Sequence, residues 1–268
     1  MYAINIIKIL TIIVCILSLS VSISYAQTAE SYLFSGDNKF EQDDFNGAIG
    51  DYSKVIELNP HSTEAYTGRG IAKGKLDDFK GAIEDLNKAL ELDPKNAKAY
   101  SHRGAAKLML DDLKGAITDL DKGIELNPND AVSYINRGAA KAELGDFEGA
   151  LIDLEKSIEL DSSLVGAYFN RGIVKGNLKD YNGAIEDYDK AIELNPDNED
   201  AYSGRGYAKL KLDDFEGASE DLNKAIELDP KNGNAYSNRG FVKVKLDDYK
   251  GAMLDYNKAI ELDPNDAG

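Results

Sequence analysis

From Phe79 onward, apolar residues fall at Ala82, Ile83, Leu86, Ala89, Leu90 and Leu92. Steps of three and four put them on one face of an α-helix, whereas a half-buried strand would alternate every second residue. The stretch before it, Ala65 to Leu76, is a run of helix-compatible residues that ends at Asp77-Asp78. Either aspartate can cap the following helix, because a carboxylate accepts from the first-turn N–H groups that have no partner within the helix. Asp93-Pro94 predicts the end of that second helix, since proline disfavours helical geometry at the residue before it. Small residues, Gly70 on the first helix and Ala82 and Ala89 on the second, mark where the two must approach closely.

The same two-helix pattern recurs along the chain. Pro60, Pro94, Pro128, Pro196, Pro230 and Pro264 keep a spacing of 34 residues, with the one skipped slot filled by Ser162. Tyr32, Tyr66, Tyr100, Tyr134, Tyr168, Tyr202 and Tyr236 share that step, as do Ala48, Ala82, Ala116, Ala150, Ala184, Ala218 and Ala252. The segments beginning at Gly68 and Gly204 are near duplicates. A fixed period of this length is the signature of a repeat architecture.

A helix–turn–helix unit with these aromatic, Gly, Ala and Pro offsets resembles the tetratricopeptide repeat. The resemblance runs over residues 29–266 as seven units, 29–62, 63–96, 97–130, 131–164, 165–198, 199–232 and 233–266. It implies an all-α fold, a right-handed superhelical solenoid with the first helices on the concave side. Two departures stand out. Tyrosine replaces the family's tryptophan throughout, and arginine replaces its usual leucine in six units, at Arg69, Arg103, Arg137, Arg171, Arg205 and Arg239. A partner known for leucine-type relatives is therefore not carried over. This Arg-Gly type of repeat is expected to belong to an exported, all-repeat protein.

The expectation of export rests on the first residues. Lys8 is the only charge before Glu30, an apolar run extends from Ile9 to Ile23, and Ser24-Tyr25-Ala26 ends it with small residues at the two inspected positions. That is the pattern of a secretory signal peptide over residues 1–26, cleaved after Ala26 and leaving no membrane span. An uncleaved anchor is the alternative, because from Ile4 the stretch is almost long enough to cross a bilayer. A lipid-modified Cys15 does not fit, with Val14 standing where a small residue is needed. Cys15 is the sole cysteine, so the mature chain would carry no disulfide and no thiolate chemistry.

Net charge, at −17 over 268 residues, argues against nucleic acid as a partner, since phosphate repels it. Asp and Glu are interspersed with Lys, as on solvated helix faces. The seven units leave no segment over for a catalytic domain. His61 and His102 lie in different repeats, without the paired ligands a metal needs. Gly68-Arg69-Gly70 with Gly74 lacks both the preceding strand and the spacing of a dinucleotide fingerprint. Gly74-Lys75 is followed by Leu76 where a phosphate loop has Ser or Thr, and the acidic turn at Asp197–Asp200 lacks the glycine and terminal glutamate of a calcium loop. The chain reads as no enzyme, with no cofactor and no metal.

The remaining reading is a scaffold that binds a peptide or helix of a protein partner in an envelope or extracellular assembly. Its groove candidates are first-helix residues beside the tyrosine: Ile135, Asn136, Phe169, Asn170, Ile173, Tyr207, Asn238 and Phe241. Aromatics give contact area at low entropy cost and Asn bonds to peptide amides from either side. Packing between first helices is the plainer account of the same residues. A carbohydrate- or cell-wall-binding accessory, or an anchored subunit serving an enzyme, is the rival function, because aromatics also stack on sugars. A carboxylate clamp for a cytosolic chaperone is set aside, since Thr67, Ile71, Ser101 and Ala105 occupy its positions and only Lys98 fits.

Three expectations about structure follow. The arginine series should pair with Asp51, Asp85, Asp119, Asp153, Asp187, Asp221 and Asp255, because donor and acceptor recur together; a basic strip facing an acidic partner is the alternative. The fourth unit, with Ser157 for alanine and Ser162 for proline, should be the weak point. The last second helix offers Ala252, Met253, Tyr256, Ala259 and Ile260 as an apolar stripe for self-association or docking.

Overall fold

The structure of the chain, a computed structural model, describes residues 28–264; the expected signal segment, 1–26, lies outside them. Among the described residues there are fourteen helices and no strand. The chain divides into two compact units, 1–128 and 129–268. The first unit holds α1 (28–41), α2 (Phe45–Leu58), α3 (Thr63–Lys75), α4 (Phe79–Leu92), α5 (Ala97–Leu108) and α6 (Leu113–Leu126). In the second lie α7 (Ala131–Glu143), α8 (Phe147–Leu160), α9 (Val165–Asn177) and α10 (Tyr181–Leu194), followed by α11 (Glu199–Lys211), α12 (Phe215–Leu228), α13 (Gly233–Lys245) and α14 (Tyr249–Leu262). Odd-numbered helices are the first of each pair and even-numbered ones the second, so the seven pairs fit the repeats expected from the sequence.

Both aspartates of the Asp-Asp turn have work, and the work differs. Asp78 is the N-cap of α4, its carboxylate accepting from the Gly81 N–H; Asp44, Asp112, Asp146, Asp180, Asp214 and Asp248 do the same at the other second helices. The residue before it takes the left-handed region, with φ 61° at Asp77 and similar values at Asp43, Asp111, Asp213 and Asp247. Aspartate tolerates that region better than most residues. Gly145 fills the same place in the fourth pair with φ 82°, and Lys179 in the fifth with φ 65°.

Second helices end by a different device. Asp93 leaves α4 in an extended conformation and its carboxylate turns to accept from the Lys95 N–H at 2.9 Å. The same side-chain turn recurs at Asn59, Asp161, Asn195 and Asp229. It explains why Ser162 does not alter the helix stop as its missing proline suggested. α8 still ends at Leu160, with Asp161 extended at φ −150° and ψ 102°. Asp161 accepts from both the backbone and the hydroxyl of Ser163, and these local bonds divert the backbone without a ring to force it.

What does change in this region is the side-chain satisfaction. First helices are capped by Ser62, Asn96, Asp130, Asn198 and Asn232, but Leu164 before α9 makes no side-chain cap bond. The hydroxyl of Ser157 is fully buried and has no hydrogen-bond partner.

Packing within a pair depends on small residues. A β-carbon at Gly70 would lie 2.9 Å from Cγ of Leu86, so α3 and α4 meet as closely as they do only because that atom is missing. Ala82, Leu86 and Ala89 of α4 are then wholly buried with Ala99 of α5. Within each unit, every second helix also packs on the first helix that follows it. Successive first helices touch one another (α3 with α5, α7 with α9, α9 with α11, α11 with α13), whereas no two second helices do. The first helices are therefore crowded on one side of each unit.

Candidate binding site

All six arginines pair with the second-helix aspartates. Arg69 donates from Nε and Nη2 to the two carboxylate oxygens of Asp85, at 2.8 and 2.7 Å, and Arg103, Arg137, Arg171, Arg205 and Arg239 repeat the fork on Asp119, Asp153, Asp187, Asp221 and Asp255. The lysine four residues after each arginine joins the same carboxylate, as Lys73 does on Asp85 at 2.8 Å. Each guanidinium lies over the ring of the tyrosine three residues earlier, 5.4–5.7 Å from its centroid. In the first pair, where Ser35 replaces arginine, Ser35 and Lys39 hold Asp51.

The third arm of the fork reaches backwards. Nη1 of Arg69 donates to Ser53, that of Arg103 to Asn87, that of Arg205 to Asp189 and that of Arg239 to Asn223, all on the preceding second helix. One side chain thus joins two second helices through a first helix, which a lysine's single ammonium could not do. Burial disfavours charge on Asp255, but bonds and charges from Arg239 and Lys243 outweigh it and hold its carboxyl below the usual range. The cationic series is consumed inside the fold and offers a ligand no free strip.

The groove candidates divide in two. Ile173, Tyr207 and Phe241 are exposed, at 38%, 41% and 44%, and stand at one repeat position on α9, α11 and α13. Lysines cover two of them, Lys211 at 4.9 Å from the Tyr207 ring and Lys245 at 5.2 Å from that of Phe241. Ile135, Asn136, Phe169, Asn170 and Asn238 are half-buried. Phe169 packs in the core, its ring 6.0 Å from that of Tyr188. Asn170 and Asn238 hold the repeat position that Gly204 holds on α11, which faces the second helix before it.

In the first unit lies a recess that the sequence did not reveal. A cavity of about 750 Å³ sits elsewhere, at the α13–α14 end; this one, of about 540 Å³, opens among α1, α3 and α5, with Leu33, Phe40 and Ile71 as its apolar lining and Asp37, Glu41 and Glu64 among its polar residues. Asp37 also accepts from the Tyr52 hydroxyl at 2.7 Å, and burial together with that carboxylate pushes the phenol's pKa up. Exposed carboxylates are common throughout the chain, so composition gave no means of singling these out.

His61 is exposed in a turn, and His102 is half-buried on α5. Among the described residues no group of three or more His, Cys, Asp or Glu side chains could hold a metal ion, and no helix is long and apolar enough to cross a membrane.

A family model described as TPR repeat matches residues 73–111, 177–213 and 210–247, and models described as Tetratricopeptide repeat match 131–164 and 233–266. No curated protein matches the chain. Among solved structures, a crystal structure of MamA protein shares 30% identity at a TM-score of 0.54, covering 63% of this chain and 92% of that one. YrrB, described as a TPR protein with an unusual peptide-binding site, shares 24% identity at a TM-score of 0.54, over 69% of this chain and 95% of its own. The APC/C hetero-tetramer Cut9–Hcn1 matches at a TM-score of 0.78 and 18% identity over 88% of this chain; the chain spans 46% of the length matched there.

Proposed function

The chain belongs to the tetratricopeptide-repeat family, and we propose that it is a non-catalytic scaffold that holds an extended peptide or a helix of a protein partner against the first helices of residues 129–264. One observation carries the reading. Ile173, Tyr207 and Phe241 recur at a single position on three successive first helices and remain exposed, although the arginines and lysines nearby are bound up in the fold. A row of apolar side chains spaced by a repeat suits a ligand that runs along the row, with alternate side chains entering between its members. Lys211 and Lys245, stacked on two of the rings, would pair with carboxylates of such a ligand. The peptide-binding site named for YrrB belongs to that protein; its likeness to this chain is one of fold.

The setting proposed is an envelope or extracellular assembly, and it rests on the leader-like residues 1–26. Carbohydrate binding is the second reading, favoured by Tyr207 and Phe241, whose exposed rings could stack on sugar faces. A peptide library displayed on phage and a glycan array, each offered to the wild type and to the Ile173→Ser, Tyr207→Ser, Phe241→Ser variant, would separate the two. Peptide sequences enriched by the wild type and lost by the variant support the scaffold; glycan binding with the same loss replaces it with the second reading.

A further inference from the structure

The rings of Tyr52 and Tyr188 each lie between two glycines. A β-carbon at Gly36 would stand 2.8 Å from the Tyr52 ring, and one at Gly68, on the next first helix, 2.7 Å from it. Gly172 and Gly204 flank Tyr188 in the same way, at 2.8 and 2.6 Å. These distances leave no room for a side chain on the following helix unless the ring moves. Where the second helix carries leucine instead, as at Leu86, Leu154 and Leu222, the following first helix carries His102, Asn170 and Asn238 at that place. Ring and glycine, or leucine and a larger residue, go together.

Tyr256 on α14 has only half of this arrangement. Gly240 of its own pair lies against it, with a β-carbon there falling 3.0 Å from the ring. Its other side faces the cavity of about 750 Å³ lined by Asn234, Ser237, Ala259 and Ile260. The face of α10 that receives α11 shows what this surface is built for. Tyr181, Ile185 and Ile192 are half-buried there, whereas their counterparts Tyr249, Met253 and Ile260 on α14 are 62%, 63% and 57% exposed. Asn257 stands where Asn87 and Asn223 accept from an arginine on the following first helix.

We propose that the α13–α14 face is the docking site for a helix of a protein partner bearing an Ala-x-x-Gly-Arg-x-x-Ala stripe, with its glycine against the Tyr256 ring and its arginine donating to Asn257. Both helices that seat on a tyrosine inside this chain carry that stripe: Ala65, Gly68, Arg69 and Ala72 on α3, and Ala201, Gly204, Arg205 and Ala208 on α11. Ala201 and Ala208 are buried against Tyr188 and Ala191. The α1 helix of a second copy is the wrong ligand, because it offers Ser31, Phe34, Ser35 and Asn38 at the four places. Phe34 would meet the tyrosine where glycine is required.

The probe is a synthetic peptide of residues 198–213, which contains α11 and its cap, titrated into the isotope-labelled full chain and followed by NMR. Resonances of α13 and α14 should shift, and a Gly204→Asn peptide should bind about tenfold more weakly. Tyr256→Leu in the protein should reverse that order, giving the asparagine peptide the advantage. Leucine already occupies this position in α4, α6, α8 and α12, so the variant retains the fold, and Asn257→Ala gives a second variant expected to weaken the glycine peptide. An absence of shifts on α14, or shifts indifferent to Tyr256→Leu, overturns the proposal. So does a dimer in sedimentation that Ile260→Glu dissociates, since a second copy would then be the occupant.

Discussion

Arg137 grips Asp153 through two parallel bonds, Nε to Oδ2 at 2.9 Å and Nη2 to Oδ1 at 2.6 Å, and the aspartate side chain is only 1% exposed. Lys141 holds Oδ2 of the same carboxylate at 2.8 Å. The arrangement is two cations on one buried anion, so losing either cation leaves the other in place. A buried charge becomes costly only when nothing compensates it. Arg137→Leu and Lys141→Leu should therefore each cost about 1–2 kcal/mol, while the double variant exceeds their sum by about 1 kcal/mol or more, within the range seen for coupled neighbours. Urea denaturation of the four proteins measures it. Additive losses would show that the carboxylate is solvated well enough to stand alone.

Ser157 fills a place that most repeats give to alanine, and its hydroxyl is buried without a partner. An unsatisfied buried hydroxyl costs roughly 1–3 kcal/mol, with nothing here to offset it. Ser157→Ala should therefore raise the denaturation midpoint, by an amount equivalent to about 1 kcal/mol. With Leu164 giving α9 no side-chain cap, amide exchange should also be faster over residues 155–167 than at the equivalent junction around Pro94. A variant less stable than wild type would mean the hydroxyl is satisfied in solution by an internal water.

Acid should unfold the protein partly through Asp51 and Asp255. Burial alone would raise both pKa values; Lys39 and Ser35 on the first, Arg239 and Lys243 on the second, outweigh it and leave both carboxyls below their ordinary value. The folded state then binds their protons less readily than the unfolded chain does. The stability this contributes is present above the ordinary carboxylate pKa of about 4 and is lost as pH falls through the depressed values. Urea midpoints measured from neutral pH down to about pH 3 should fall most steeply below about pH 4. Asp255→Asn should flatten that fall; an unchanged profile would assign it to other groups.

How far the sequence disclosed these features depended on distance along the chain. The helices were legible because the steps of three and four are local, and the arginine–aspartate pairing because both partners recur in each unit. The backward arm from Arg239 to Asn223 was not legible, since its acceptor varies among Ser, Asn and Asp from one unit to the next. Nor was the division of labour between Asp77 and Asp78, which is decided by one backbone angle. Pro94 and Ser162 looked different as letters, yet the preceding aspartate makes the same turn in both places. At the candidate groove, the sequence named the right helices but could not tell exposed Tyr207 from half-buried Phe169, because both are aromatic residues near the same tyrosine position.

The fit between Tyr188 and Gly204 is the part of the architecture most open to a direct exchange. Gly204→Asn alone places a side chain against the Tyr188 ring, where a β-carbon already falls 2.6 Å from Cζ, and overpacking of this kind costs about 1–3 kcal/mol. Tyr188→Leu alone removes a buried ring and leaves a void, which is destabilising by a comparable or larger amount. Together they recreate the pair found at Leu154 and Asn170 and at Leu222 and Asn238. The double variant should thus be more stable than the sum of the single losses allows, by about 1 kcal/mol or more. Thermal and urea denaturation of the three variants beside wild type will show it. If the losses simply add, the ring can swing aside at little cost and glycine is not what α11 needs to seat on α10. The same result would remove the reason for expecting glycine in whatever helix meets Tyr256.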